Sequence, residues 1–212
     1  MPNFYQTGGS KGNTIIEASY GSGRFKVLWR AKDKGARLRI GNIAELCVGK
    51  GINYVWGGTG VYYAFKGGKN SYNTNIKIAK TKLKNKSTDC SGFASACAKA
   101  GGSSMGIQHS ATMVNSSSFA NFTKHNAQKV FAAGTYQRGD IVAYVGDPGH
   151  AAVVAHNGPN VSKNTFKNYC KDGSKKITNK KTEKIKKYIK NYKTDLKKKN
   201  HSQLLKKMNI LL

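Results

Sequence analysis

Apolar residues recur at regular spacing in three parts of the chain. Residues 40–48 carry apolar side chains on one helical face, and the alanine-rich run from Phe93 to Ala100 stops at a glycine pair. Residues 141–156 contain two apolar runs separated by Asp147-Pro148-Gly149, and Asn157-Gly158 follows them. This spacing predicts two helices and then an antiparallel meander, with a third strand beginning near residue 160.

The remaining segments define the predicted boundaries. Residues 1–39 are interpreted as an N-terminal extension with one or two strands, and residues 40–170 as the main domain. Within that domain, the polar and basic residues 66–87 predict an insertion or exposed loop, and a short helix is expected near residues 116–122. Residues 171–212 form a lysine-rich tail with amphipathic helical spacing, which is either a functional anchor or a solvated, partly disordered extension.

The charge balance is strongly basic, with 37 Lys and Arg against 9 Asp and Glu and a formal net charge of +28. Such a chain is expected to associate with polyanions, although a lysine-rich composition bias accounts equally well for much of the excess. The four cysteines show no disulfide or zinc spacing, so we expect free thiols, with Cys47 and Cys97 in the core. The N-terminus lacks the basic start and apolar run of a signal peptide, and no apolar run is long enough to cross a membrane.

Cys90 is the candidate nucleophile. Asp89 or Ser91 can cap the start of the helix that contains Phe93, so Cys90 is expected at its N-terminus. Unpaired backbone N–H groups and the helix dipole favour a thiolate there, which predicts a lowered pKa. His150 is the candidate base, because Pro148-Gly149 delivers it to the first position of an apolar strand.

Four motifs in this order resemble those of the NlpC/P60 family of cell-wall cysteine peptidases. They are Tyr54-x-Trp56-Gly57-Gly58, Asp89-Cys90-Ser91-Gly92-Phe93, Arg138-Gly139-Asp140-Ile141-Val142 and Gly149-His150-Ala151-Ala152-Val153. The resemblance covers roughly residues 40–165. It implies an α+β, papain-like core in which the nucleophile helix packs on an antiparallel sheet. It also implies cleavage of amide bonds in peptidoglycan stem peptides.

The resemblance assigns a role to each site residue. Cys90 would attack the scissile carbonyl, and His150 would act first as general base and then as general acid. Tyr54 would line the site, while Asp89 and Ser91 would bind the free amine of a trimmed stem peptide. The alternatives are that Tyr54 only packs and that Asp89 is only a helix cap. Trp56 is interpreted as mainly structural, and no metal or cofactor is expected.

The third catalytic position departs from the family pattern. A His, Asn, Gln or Asp usually stands on the strand after the histidine strand, whereas Ser162 falls at the aligned position here. Asn160 and Asn164 share its face of the strand, and Asn160 is placed first. His156 is about 20 Å along an extended strand from His150, so it is interpreted as a strand-end residue.

The resemblance implies a peptidoglycan hydrolase, of the γ-D-glutamyl-diamino acid endopeptidase or N-acetylmuramoyl-L-alanine amidase type. A phage lysin or virion-associated enzyme fits a chain without a signal peptide, which would reach the wall by holin-type release or on a phage particle. One alternative is a protein whose tail, residues 171–212, binds an anionic wall polymer, a membrane surface or nucleic acid, with nucleic acid disfavoured as the primary partner. Another is a papain-like amidase or acyltransferase with a different substrate.

Overall fold

The computed structural model describes residues 2–9 and 11–159. The predicted third strand, the boundary at residue 170 and the lysine-rich tail lie outside this part of the chain. The strands are β1 (Asn3–Thr7), β2 (Ile15–Ser19), β3 (Val27–Ala31), β4 (Asn53–Tyr54), β5 (Ser87–Thr88), β6 (Phe122–Asn126), β7 (Ile141–Tyr144) and β8 (His150–Val154). The helices are α1 (Lys34–Leu46), α2 (Gly60–Ala64), α3 (Tyr72–Thr81), α4 (Cys90–Ala100), α5 (Ser110–Asn115) and α6 (Ala127–Ala132).

Six of the strands form one sheet in the order β2-β1-β8-β7-β3-β6, in which every neighbouring pair is antiparallel. The short strands β4 and β5 pair separately and in parallel. Strands β1, β2 and β3 come from the segment predicted as an N-terminal extension, so residues 3–31 form half of the main sheet. The fold is therefore mixed α+β, with helices packed on an antiparallel sheet. No described helix is both long and apolar enough to cross a membrane.

Strand alternation gives the sheet two buried faces. Ala151 and Val153 of β8 belong to the larger core, which also contains Phe93 and Cys97 of α4. Ala152 belongs to the smaller core on the opposite face, where partly buried residues of α6 pack. Cys47 and Cys97 are both fully buried free thiols, as predicted.

The helix predictions had mixed outcomes. Helix α4 and the β7–β8 hairpin are confirmed, and the predicted helix at 40–48 is the second half of α1, which begins earlier because Asp33 caps it. The interpretation of residues 66–87 as an exposed loop is wrong. They contain α3, whose Asn75, Ile78 and Ala79 are buried behind a lysine-rich outer face. The helix expected near 116–122 is also wrong, since α5 ends at Asn115 and β6 begins at Phe122.

The Arg138-Gly139-Asp140 motif anchors the sheet from within. The Arg138 guanidinium donates to the Tyr5 hydroxyl at 2.8 Å and to the Ala155 carbonyl at 2.7 Å, and it also pairs with Glu45. These contacts fasten β1 and the end of β8 to α1. Asp140 is fully buried and accepts two hydrogen bonds from Arg30 of β3, which offset part of the cost of burying its charge.

Candidate active site

Helix α4 begins at Cys90 because Asp89 caps it. Asp89 Oδ1 accepts hydrogen bonds from Gly92 N at 2.5 Å and from the Ser91 hydroxyl at 3.1 Å. Asp89 Oδ2 accepts one from Gly57 N at 3.1 Å. The carboxylate therefore satisfies a free N–H of the helix start and also ties the Tyr54–Gly58 turn to it.

Two glycines let that turn lie directly against α4. A Cβ on Gly92 would stand 2.6 Å from the Gly58 carbonyl oxygen, and one on Gly58 would stand 2.7 Å from the Val55 carbonyl oxygen. Backbone hydrogen bonds complete the attachment, from Val55 N to Thr88 O at 3.0 Å and from Asp89 N to Gly58 O at 3.2 Å. Two of the four sequence motifs are thus parts of one rigid structure around Cys90.

The Cys90 thiol is buried, with 8% of the residue exposed. Burial is the largest influence on it and raises its pKa, and the charge of Asp89 acts in the same direction. The nearby backbone N–H groups of Ala151, Ser91 and Cys90 favour the thiolate and oppose that shift without reversing it. The prediction of an acidified thiol is therefore wrong for the resting site, because desolvation outweighs the helix N-terminus.

His150 is held by a residue at the other end of the chain. Its Nε2 donates to Gln6 Oε1 at 2.9 Å, and its ring stacks on Tyr20 with centroids 5.1 Å apart. An amide oxygen can only accept, so the proton is on Nε2, and Nδ1 of the neutral ring keeps its lone pair. Burial lowers the pKa of His150 to about 4, so the ring is neutral at pH 7.

Cys90 and His150 both lie near the start of β8, which has β1 and β7 as its neighbours in the sheet. Val154 N donates to Asp140 O, just before β7. The backbone N–H and C=O groups of even-numbered β8 residues therefore point towards β7, and those of odd-numbered residues point towards β1. Strand β1 pairs with β8 at Phe4 and Tyr5, and Ala155 N donates to Asn3 O, so Ala151 lies beyond this pairing and its N–H is near the Cys90 sulfur.

The two side chains approach β8 from opposite faces of the sheet. Cys90 approaches with α4, whereas the His150 ring lies against Tyr20 and Tyr144 on the face of the smaller core. Among the described residues, the hydrogen bond of the imidazole goes to Gln6 and none joins it to the Cys90 sulfur. The structure thus places the thiol beside the residue that follows His150, and the direct thiol–imidazole contact is not formed.

Gln6 is the site residue that the sequence did not indicate. It is buried with 4% exposed, and the strand that carries it lies next to β8 in the sheet. Asn160, Ser162 and Asn164, the predicted candidates for the third position, lie outside the described residues. The sequence does show that Gln6 is a polar residue on the same strand face as the apolar Phe4. No local sequence pattern, however, indicates that β1 lies next to β8.

Tyr54 lies beside the site and is 47% exposed. The Tyr54 side chain lies near enough to Cys90 and Asp89 that their charges, after burial, raise the pKa of its hydroxyl. Trp56 is 76% exposed and Tyr63 is 69% exposed. The interpretation of Trp56 as mainly structural is therefore wrong, because most of its side chain faces solvent instead of packing in the core. Ser91 is buried, and its hydroxyl is directed at Asp89.

His156 follows β8, as its interpretation as a strand-end residue requires. Its Nε2 lies 2.7 Å from Glu17 Oε1, and it takes no part in the Cys90 site. In residues 2–9 and 11–159, no three His, Cys, Asp or Glu side chains come together as a metal site would need.

The fold and the site define the protein in chemical terms. It is an α+β protein with a buried cysteine at the start of α4 and a histidine on β8 whose tautomer is fixed by a hydrogen bond. Comparison with known proteins adds nothing to that description. No protein-family model, no curated protein and no solved structure matches the chain.

Proposed function

We propose that this protein is a cysteine hydrolase that cleaves an amide bond in the stem peptide of peptidoglycan. The observation that carries the proposal is the hydrogen bond from His150 Nε2 to Gln6 Oε1, beside a cysteine at a helix N-terminus. It leaves Nδ1 as the proton acceptor that a thiol nucleophile needs. The resemblance of the four motifs to the NlpC/P60 family supports the choice of substrate.

The resting pair in this proposal is neutral, a Cys90 thiol and a His150 imidazole, because burial raises one pKa and lowers the other. The thiol proton moves to Nδ1 as the sulfur adds to the scissile carbonyl carbon. Catalytic hydrogen bonds in substrate-free sites are often unformed and close with substrate. In this scheme the His150 ring swings about its Nε2–Gln6 hydrogen bond when substrate binds, which brings Nδ1 to the thiol.

The later steps return every group to its starting state. The N–H groups at the start of α4 stabilise the oxyanion, and the imidazolium gives its proton to the departing amine as the C–N bond breaks. Water then attacks the thioester carbonyl and gives one proton to Nδ1, which returns it to the departing sulfur. Tyr54 and Trp56 form one wall of the substrate cleft. Asp89, already the helix cap, is the negative charge nearest the nucleophile for a substrate amine.

Release of new amino termini from purified sacculi tests this proposal. Cys90→Ala is expected to reduce the rate by orders of magnitude, because the other two thiols of the described residues, Cys47 and Cys97, are fully buried in the core. Cys97→Ala is the matched control, since it removes a thiol from the same helix at a fully buried position away from the site. Equal activity in wild type and Cys90→Ala would exclude the mechanism. Activity confined to non-wall amides would instead favour the alternative of a papain-like amidase with a different substrate.

A further inference from the structure

A basic groove of about 460 Å³ lies apart from the Cys90 site. Its walls are the β1–β2 turn, the turn after α1 and the end of α3 with the turn that follows. Three lysines line it, Lys50, Lys80 and Lys84, together with Asn13 and Gly51. The groove thus joins three turns that are far apart in sequence, and each turn contributes a donor group.

Hydrogen bonds between the turns fix the walls of the groove. Gly51 N donates to Asn13 Oδ1 at 3.3 Å, which leaves the Asn13 amide nitrogen with its two protons as a donor. Asn85 N donates to Gly51 O at 2.7 Å. Gly51 has φ of 68°, and a Cβ there would stand 3.1 Å from Lys84 Cγ, so the lysine stem covers the glycine backbone closely. Walls held in this way lose little entropy when a ligand binds.

The charge of the groove is not neutralised within the described part of the chain. No acidic residue lines it, and its three lysine ammonium groups have no hydrogen-bond or ion-pair partner there. Five of the six described acidic residues are engaged elsewhere. Their partners are His156 for Glu17, Arg39 for Asp33, Arg138 for Glu45, the start of α4 for Asp89 and Arg30 for Asp140. The sixth, Asp147, is in the β7–β8 turn.

We propose that this groove binds the phosphodiester groups of an anionic polymer with a small, non-aromatic repeating unit, such as poly(glycerol phosphate). Three ammonium groups and an amide donor in a concave site match phosphate oxygens. Single-stranded nucleic acid is disfavoured because the groove has no aromatic side chain on which a base could stack. The inference goes beyond the proposed function, since it involves neither Cys90 nor hydrolysis.

The test compares two triple variants of the full chain that remove the same charge. Lys50→Gln/Lys80→Gln/Lys84→Gln changes the groove, and Lys26→Gln/Lys66→Gln/Lys129→Gln changes three exposed lysines elsewhere. Binding of a poly(glycerol phosphate) oligomer is measured as a function of salt concentration. Loss of three phosphate contacts should lower the slope of log affinity against log salt by about 2, at about 0.7 per contact. The control triple variant should change it much less.

Two further measurements identify the site and the ligand. In the wild-type protein, the amide resonances of Gly49 and Gly51 should shift and saturate as the oligomer is added. In the same titration, single-stranded DNA with an equal number of phosphates should bind more weakly than the oligomer. Its affinity should also fall less when the groove lysines are replaced. Equal losses in both triple variants, or absent glycine shifts, would show general charge attraction and overturn the proposal. A larger loss for DNA would overturn the choice of polymer. Hydrolysis of polymer-free sacculi should be unchanged in the groove variant, so a failure here is distinct from a failure of the proposed function.

Discussion

Replacing Gln6 tests whether it positions the imidazole. In Gln6→Ala the buried Nε2–H of His150 loses its acceptor, which costs about 1–3 kcal/mol. Without that acceptor the proton can move to Nδ1, the atom that must be free to take the thiol proton. A preference of about 1.4 kcal/mol between tautomers corresponds to a factor of ten. Loss of ring orientation adds to this, so we expect kcat to fall by roughly 10- to 100-fold with little change in KM.

Gln6→Glu separates positioning from folding. A carboxylate of the same length keeps the hydrogen bond, but its negative charge favours the imidazolium and raises the pKa of His150 from about 4. Protonated His150 cannot accept the thiol proton. The acid limb of kcat/KM should therefore move to higher pH in this variant, by about 1 unit or more. A merely structural role for Gln6 would leave the pH of that limb unchanged.

Gln128→Ala is the matched control, because Gln128 is exposed and its amide contacts only the Gly23 carbonyl among the described residues. Asn160→Ala tests the third-position residue placed first by the sequence and should retain activity within a few-fold. The assay is steady-state hydrolysis of a soluble stem peptide, with thermal unfolding of each variant measured in parallel. A folded Gln6→Ala variant with wild-type kcat, or a 100-fold loss in Asn160→Ala instead, would refute this assignment.

Three further predictions concern single features of the site. In the proposed hydrolase, kcat/KM should fall as the pH drops through about 4. The folded state should lose up to about 3 kcal/mol between pH 6.5 and 4, because over this range His150 stays neutral in the folded protein but is protonated in the unfolded chain. A limb near pH 6.5, or unchanged stability relative to His150→Gln, would contradict this. Trp56→Ala should raise KM several-fold while the unfolding temperature stays within about 2 °C of wild type, since the side chain is 76% exposed. A large drop in the unfolding temperature would instead show that Trp56 has a mainly structural role. Gly92→Ala should destabilise the fold by about 1–3 kcal/mol in denaturant titrations, because its Cβ would lie 2.6 Å from the Gly58 carbonyl oxygen. The control Gly67→Ala, whose Cβ would have no atom within 4 Å, should not destabilise it. Equal effects in the two variants would show that the close contact at Gly92 does not determine stability.

Local sequence signals were sufficient to predict α4 and the β7–β8 hairpin. Asp89 is a capping residue, the Gly101-Gly102 pair is a helix stop, and both act within a few residues of the helix ends. The β7–β8 hairpin is likewise defined by apolar runs on both sides of one turn. Such elements are predictable because the interactions that form them are short-range.

The errors arose where distant contacts decide the outcome. Gln6 reaches His150 only because β1 inserts beside β8 in the sheet, and strand order is not encoded in any local pattern. Helix α3 was not predicted because its sequence is polar and lysine-rich. One of its polar residues, Asn75, is nevertheless buried, since the Asn75 amide donates to the Lys66 and Ala100 carbonyls instead of to water. The prediction of a lowered pKa for Cys90 is wrong because the helix start favours the thiolate, whereas the depth of burial, visible only in three dimensions, favours the thiol more strongly.

Mass analysis of sacculus digests tests the central claim most directly, because it reports activity and the cleaved bond together. Sacculi are incubated with wild type, Cys90→Ala and Cys97→Ala, and the released fragments are identified by mass spectrometry. The Cys90–His150–Gln6 site predicts fragments with one new amine and one new carboxylate from a stem-peptide amide, formed by wild type and Cys97→Ala alone. The same fragments from Cys90→Ala, or cleavage only between sugars, would contradict it.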